Sequence, residues 1–97
     1  MKVIKNLNEI SNELTLIDFF ANWCGPCKML GPVLEEFSEK TGLEVYKIDC
    51  DQSVELAREF NVQSIPALFL MKDKKVIDNK VGYMDIDELE EWINTYK

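Results

Sequence analysis

Two cysteines separated by two residues form the most reactive pattern in the sequence. Cys24 and Cys27 follow an apolar run, Leu14 to Ala21, and open a segment with helical spacing. The first turn of a helix leaves backbone N–H groups unpaired and favours negative charge. We therefore expect a thiolate at Cys24 with a pKa below the free value of about 8.5. Cys27, one turn later and less exposed, suits the resolving role in a dithiol–disulfide cycle.

Two other uses of a Cys-x-x-Cys pair are less favoured. A structural zinc site needs four ligands, usually Cys or His, and the sequence has no histidine and one further cysteine, Cys50. Structural disulfide frameworks usually contain an even and larger number of cysteines. The pattern therefore favours redox chemistry without a metal or a bound cofactor. We interpret Cys50 as a small, partly buried apolar residue, with a regulatory or dimer-forming thiol as the alternative.

A carboxylate inside an apolar strand is the second unusual feature. Asp18 interrupts the run from Leu14 to Phe20, and burial of a carboxylate is costly unless it is paired or neutralised. Burial raises the pKa, which suits proton transfer near neutral pH. The alternative interpretations of Asp18 are a strand-end residue that faces solvent and a member of a structural ion pair. Lys47, on the next predicted strand, either moderates the charge of Asp18 or is an ordinary sheet-edge lysine.

The elements that position these residues alternate between strands and helices. Such alternation predicts right-handed crossovers and a largely parallel sheet flanked by helices, which a closing hairpin makes mixed. Asp85 and Glu88 resemble a capping box at the start of the last helix, whose spacing predicts an apolar stripe through Ile86, Leu89, Ile93 and Tyr96. We predict strands over Lys2 to Lys5, Leu14 to Ala21, Leu43 to Asp49, Ala67 to Met71 and Val76 to Val81, and helices over Asn8 to Glu13, Cys24 to Lys40, Ser53 to Phe60 and Asp85 to Tyr96.

Length and composition favour one globular domain over residues 1–97, with 46% hydrophobic and 30% charged residues. The net charge of −7 argues against nucleic acid or an anionic membrane as the main partner. The longest apolar run, Ile65 to Met71, is too short to span a membrane. Met1 to Lys5 contains no signal-peptide core. We therefore expect a cytoplasmic monomer.

Taken together, these residues resemble the thioredoxin family across essentially the whole chain. The matching segments are Ile17 to Met29, Pro32, Lys47, Ser64 to Pro66 and Lys80 to Gly82. The resemblance implies an α/β thioredoxin fold, in which a mixed, mostly parallel central sheet has helices on both faces. It also implies a general protein-disulfide reductase that receives electrons from thioredoxin reductase and passes them to disulfide-containing target proteins.

The resemblance further assigns roles to individual residues. Cys24 is the implied nucleophile, Cys27 the resolving thiol and Asp18 its buried proton relay, with Lys47 as the neighbour of Asp18. Although an X-Pro bond is usually trans, the family pattern implies a cis Pro66 facing the disulfide. A shallow docking surface for partner proteins is implied at Trp23, Gly25, Pro26, Ile65 and Gly82, and we add the neighbouring Tyr83 to it.

Several positions depart from the family pattern. Phe20 stands where Trp is frequent, Ala67 where Thr is common, and Tyr83 where a small residue is usual. Asp73 and Lys74 replace a glycine-containing hairpin turn, so that Lys74 needs a positive φ. These departures remove no catalytic group, but Tyr83 bears on the choice of partner. A dedicated single-partner electron carrier and a thioredoxin-like binding subunit remain as alternative functions.

Overall fold

A five-stranded sheet forms the centre of the computed structural model, which describes residues 1–97. A single 3₁₀ turn, Leu7–Glu9, joins the first two strands. The strands are β1 (Lys2–Val3), β2 (Thr15–Phe20), β3 (Glu44–Asp49), β4 (Ala67–Lys72) and β5 (Lys75–Val81), and the helices are α1 (Gly25–Thr41), α2 (Val54–Glu59) and α3 (Ile86–Asn94).

The strand order across the sheet is β1-β3-β2-β4-β5. Strand β3 pairs in parallel with β1 and β2, whereas β4 pairs antiparallel with β2 and β5. Only β4 therefore runs against the other strands, and the predicted mixed sheet is confirmed. Strand β2 is central, and all six of its residues are buried, which explains its nearly continuous apolar sequence.

Helices cover both faces of the sheet, as predicted. Leu16 and Leu68 pack with residues of α1 and α3 in one apolar core. Ile17 and Phe19 belong to a second core on the opposite face, against which residues of α2 pack. Because side chains alternate along a strand, Asp18 of β2 points toward the face covered by α1 and α3.

Three local predictions can be compared with the structure. The segment Asn8 to Glu13 was predicted wrongly as a helix, because the chain makes one 3₁₀ turn and is extended again at Ile10. The Asp73-Lys74 turn has positive φ at both residues, 52° and 62°, as a type I′ hairpin turn requires. The capping box of Asp85 and Glu88 is confirmed, with both of its reciprocal hydrogen bonds present.

Candidate active site

The two cysteines lie at the start of α1. Cys24 is the N-cap residue, and its Sγ accepts a hydrogen bond from the backbone N–H of Cys27 at 3.2 Å. Cys24 and Cys27 form a disulfide with their Cα atoms 5.2 Å apart. Pro26 fits the first turn, where its missing N–H leaves no hydrogen bond unmade. The helix start therefore directs an N–H donor and the positive end of its dipole at the sulfur of Cys24.

A second loop closes over this disulfide. The Ile65–Pro66 peptide bond is cis, and the carbonyl oxygen of Ile65 lies 3.9 Å from Cys24 Sγ. Gly82 donates its N–H to the carbonyl oxygen of Pro66 at 2.8 Å, and its φ of 99° is a conformation that favours glycine. The loop of the cis proline thus meets the disulfide, and the Gly82 segment is bonded to that loop.

The sulfurs themselves are enclosed in the oxidised protein. Cys24 is 5% exposed and Cys27 3% exposed, and both pack with Phe20 and Ala21. Their exposures are therefore nearly equal, and the predicted difference in access is small in this state. What distinguishes the two residues is position, since only Cys24 receives the N–H donor at the helix start.

Asp18 is completely buried and has no hydrogen-bond partner for either carboxylate oxygen. The solvent-facing and ion-paired alternatives for this residue are therefore wrong in this structure. Burial raises the pKa of Asp18 from 3.8 to about 7, and the positive charge of Lys47 partly opposes the rise. Asp18 lies on β2 between Leu16, which packs in the core under α1, and Phe20, which packs with the cysteines. The Asp18 carboxyl group therefore lies on the sheet face that α1 and α3 cover.

Lys47 is the register partner of Asp18 on β3. Its side chain is half-buried, and its Nζ lies 4.3 Å from the centre of the Phe20 ring. The ion pairs of the structure join other residues, Lys2 with Glu9 and Lys40 with Glu90. Lys47 therefore acts on Asp18 through its field rather than through a direct contact.

The predicted docking residues are largely accessible. Trp23 is 71% exposed and Tyr83 43% exposed. Gly25 and Pro26 are exposed as well, and Ile65 and Gly82 are half-buried. An exposed aromatic group such as Trp23, which precedes Cys24 in the sequence, can bind a partner chain by apolar contact.

Asp51 is a site residue that the sequence reasoning missed. Its Oδ2 accepts a hydrogen bond from Trp23 Nε1 at 2.9 Å, and its N–H donates to Oδ1 of Asp49 at 2.8 Å. Trp23 follows β2 and Asp51 follows β3, and these parallel neighbours end at the same edge of the sheet. That strand arrangement was the signal that could have paired the two residues.

Cys50 is free and half-buried, and it packs against the core on the α2 face. Burial and the nearby carboxylates of Asp49, Asp51 and Asp18 raise its pKa. This placement agrees with the interpretation of Cys50 as a partly buried apolar residue. No group of three or more His, Cys, Asp or Glu side chains is arranged to hold a metal ion.

Comparison with known proteins agrees with this geometry. The thioredoxin family model matches residues 2–95. The chain is 47% identical to thioredoxin of Listeria monocytogenes over 90 residues, which are 91% of this chain and 87% of the relative. It is 43% identical to thioredoxin of Bacillus subtilis over 90 residues, covering 91% and 86% of the two chains. The chain belongs to the thioredoxin family.

A solved structure supports the same assignment. A mutant thioredoxin from Halobacterium salinarum superposes with a TM-score of 0.89 at 37% identity, over 97% of this chain and 88% of that one. The thioredoxin fold is thus confirmed, and the protein is a protein-disulfide oxidoreductase with Cys24 and Cys27 as its redox-active pair. None of its helices has the length and apolar character needed to cross a membrane.

Proposed function

We propose that this protein reduces target disulfides with Cys24 as the nucleophile and Cys27 as the resolving thiol. The observation that carries the assignment is the hydrogen bond from Cys27 N–H to Cys24 Sγ at the helix N-cap. A thiolate gains more from such a donor than a thiol does, because hydrogen bonds to charged acceptors are stronger. The N–H donor at the helix start therefore favours Cys24 as the attacking thiolate.

The reaction proceeds in two exchanges. The Cys24 thiolate attacks one sulfur of the target disulfide, forming a mixed disulfide and releasing the first target sulfur as a thiolate. Cys27 then gives up its proton and attacks Cys24 Sγ, which releases the second target sulfur. Two electrons have passed to the target, and Cys24 and Cys27 are again joined as the disulfide.

Asp18 accepts the proton of Cys27 in the second exchange. Its pKa of about 7 suits a group that must accept and then release a proton at neutral pH. No protein group donates a hydrogen bond to its carboxyl oxygens, which supports this role, because a carboxylate kept for stability is usually paired with protein donors. Lys47 limits the rise of the Asp18 pKa, so that the ionised form stays accessible.

Partner proteins dock on the exposed residues around the disulfide. Trp23 and Tyr83 provide aromatic contacts, and Gly25, Pro26, Ile65 and Gly82 leave room for a partner backbone. The hydrogen bond between Trp23 and Asp51 fixes the indole ring in a 71% exposed position. The fixed ring loses little conformational freedom when a partner binds.

We further propose thioredoxin reductase as the electron donor and a range of disulfide-containing proteins as acceptors. We also propose that the protein is cytoplasmic and monomeric and that residues 1–97 form one domain. The separate cores on the two faces of one sheet support the single domain. The intact set of Cys24, Cys27, Asp18 and Pro66 favours a reductase over a redox-inactive binding subunit. The open surface around the disulfide favours a general reductase over a dedicated carrier.

Trapping of mixed disulfides tests the roles of the cysteines. In a Cys50→Ser background, Cys27→Ser should accumulate mixed disulfides through Cys24, because the resolving thiol is gone. Cys24→Ser should trap few or none. The measurement is non-reducing electrophoresis with a model disulfide protein, and equal trapping by both variants would refute the assignment.

The double variant Cys24→Ser, Cys27→Ser separates the alternative functions. If the protein is a binding subunit, the double variant retains biological activity, because binding does not need the two thiols. If the protein is a reductase, the double variant loses that activity. Turnover of several unrelated protein disulfides with thioredoxin reductase separates a general reductase from a dedicated carrier, which would act on a single partner.

A further inference from the structure

We propose that Phe20 is a positioning residue for the reaction: its ring holds the Lys47 ammonium group close to the buried carboxyl group of Asp18. The inference rests on the proposed role of Asp18 as proton acceptor and names the group that controls the charge beside it. Phe20 touches neither a substrate nor the proton that moves, and acts only through Lys47.

The geometry places the three side chains on one face of adjacent strands. Asp18 and Phe20 are two residues apart on β2, so that they point to the same face. Lys47 is in register with Asp18 on β3, and its Nζ lies over the Phe20 ring, 4.3 Å from the ring centre. The ammonium group therefore extends along the sheet from the level of Asp18 toward that of Phe20.

A lysine in this position has a competing option, which is to extend its ammonium group into water. Lys47 is only half-buried and has no carboxylate in direct contact. Attraction to an aromatic face increases when the cation is partly desolvated. Phe20 is 9% exposed and so offers a largely dry ring face that retains the ammonium group.

The ring does not compete with Asp18 for the ammonium group. A cation–π contact is too weak to withhold an ammonium group from an ionised carboxylate that it could reach. No ion pair joins Lys47 to Asp18 in the structure, and the ring is not what keeps the two groups apart. The contribution of Phe20 is to prevent the ammonium group from moving still farther away.

Lys47 is the charged group on which this effect depends. The β4 register partner of Asp18 is the apolar Leu68, and Cys24 and Cys27 at the start of α1 do not titrate in the disulfide form. Cys50, after β3, is the other nearby titratable group, with Asp49 and Asp51 beside it. Cys50→Ser removes its titration from every protein compared.

Titration of Asp18 by NMR in the oxidised protein tests the proposal. In the Cys50→Ser background, Phe20→Leu should raise the pKa of Asp18 by about half a unit, because the field of Lys47 weakens. Phe20→Tyr keeps the aromatic face and should restore the original pKa. Lys47→Met should raise the pKa at least as much, and adding Phe20→Leu to Lys47→Met should produce no further rise.

The sign of the shift distinguishes positioning from packing. Loss of the ring as mere packing would admit water and lower the pKa of Asp18. An unchanged or lowered pKa of Asp18 in Phe20→Leu would overturn the proposal. The proposal would also fail if Phe20→Leu raised the pKa of Asp18 as much in the Lys47→Met variant as it does with Lys47 present. If Phe20→Leu does not fold, Phe20→Met replaces it. In the unsubstituted protein, the Lys47 ε-CH₂ protons must show an upfield ring-current shift, and absence of that shift would also overturn the proposal.

This titration is independent of whether Asp18 moves a proton. If the pKa test fails, the proposed role of Asp18 as proton acceptor is unaffected. If Asp18→Asn leaves the rate of disulfide exchange unchanged, that role is refuted, and the positioning of Lys47 by Phe20 still holds. If both hold, the pH profile of disulfide exchange should move upward in Phe20→Leu by the same amount as the pKa of Asp18.

Discussion

Two aspartates on the sheet have opposite surroundings. Asp18, on the central strand at the redox site, is fully buried and has no hydrogen-bond partner. Asp78, on the edge strand β5, accepts hydrogen bonds from Trp92 Nε1 at 2.8 Å and from the Tyr96 hydroxyl at 2.6 Å. Burial raises the pKa of Asp18 to about 7, whereas the hydrogen bonds from Tyr96 and Trp92 lower the pKa of Asp78.

The contrast separates a structural use of aspartate, at Asp78, from the functional use that we propose for Asp18. Asp78 joins β5 to α3 through satisfied hydrogen bonds, as a stabilising carboxylate should. Asp18 opposes stability wherever it is ionised, and the fold of the surrounding sheet must offset that cost. Retaining an unpaired carboxylate at the centre of the core makes physical sense if its raised pKa is used.

Replacement of Asp18 by Asn should have the largest effect of the variants compared. General acid–base groups contribute on the order of 100-fold or more to rate, so that disulfide exchange near neutral pH should slow by about 100-fold. Stopped-flow kinetics of reduction of a model disulfide protein measures this effect. Asp78→Asn is the matched control, because the same substitution away from the cysteines should leave the rate unchanged.

The same variant makes a prediction about stability. Because the folded-state pKa of Asp18 is raised from 3.8 to about 7, the folded protein holds more protons between these values, and stability falls as pH rises through that window. The total loss is roughly 4 kcal/mol. In the oxidised form, the stability advantage of Asp18→Asn should grow from about pH 4 to pH 7 in chemical denaturation. A flat or shrinking advantage would contradict a desolvated carboxylate.

Two exposed tyrosines extend the comparison to partner binding. Tyr83 follows Gly82, which donates its N–H to the Pro66 carbonyl oxygen, whereas Tyr96 lies just after α3, and they are 43% and 38% exposed. Tyr83→Ala should lower catalytic efficiency with thioredoxin reductase by roughly 30-fold, as expected for loss of an interface anchor of about 2 kcal/mol. Tyr96→Ala should not change this efficiency. The redox potential should stay the same in both, and equal efficiencies toward every partner would make Tyr83 an ordinary surface residue.

The sequence predicts the redox site better than it predicts the junction of β5 with α3. Cys24, Cys27 and Asp18 are recognisable because each breaks a local pattern, as a thiol pair at a helix start or a charge inside an apolar strand. Asp78 breaks no pattern in an exposed strand. Its partners lie 14 and 18 residues away in the sequence, a spacing that no helix or strand period indicates.

The same limitation explains the error about α3. Periodicity predicted an apolar stripe through Ile86, Leu89, Ile93 and Tyr96, but the helix buries Trp92 and leaves Tyr96 exposed. Asp78 accepts hydrogen bonds from both the Trp92 indole N–H and the Tyr96 hydroxyl. The contact with Asp78 on β5 thus decides which aromatic residue is buried, and the spacing of apolar residues within α3 cannot predict that contact.

Replacement of Asp78 by Asn should have the smallest effect and the opposite pH dependence. Loss of charge weakens the hydrogen bonds from Trp92 and Tyr96, which should destabilise the protein by about 1 kcal/mol at neutral pH. Because the folded-state pKa of Asp78 is lowered, its contribution is present above the unfolded pKa of about 3.9 and is lost as pH falls through the folded value. The loss of stability caused by Asp78→Asn should therefore shrink toward zero in acid and stay constant from about pH 5 to 7. The gain of stability caused by Asp18→Asn also disappears in acid, but it grows from about pH 5 to 7. Chemical denaturation of the oxidised proteins across this range measures both curves. Parallel curves for the two variants would show that Asp18 and Asp78 differ in position only, and the distinction between functional and structural carboxylates would fail.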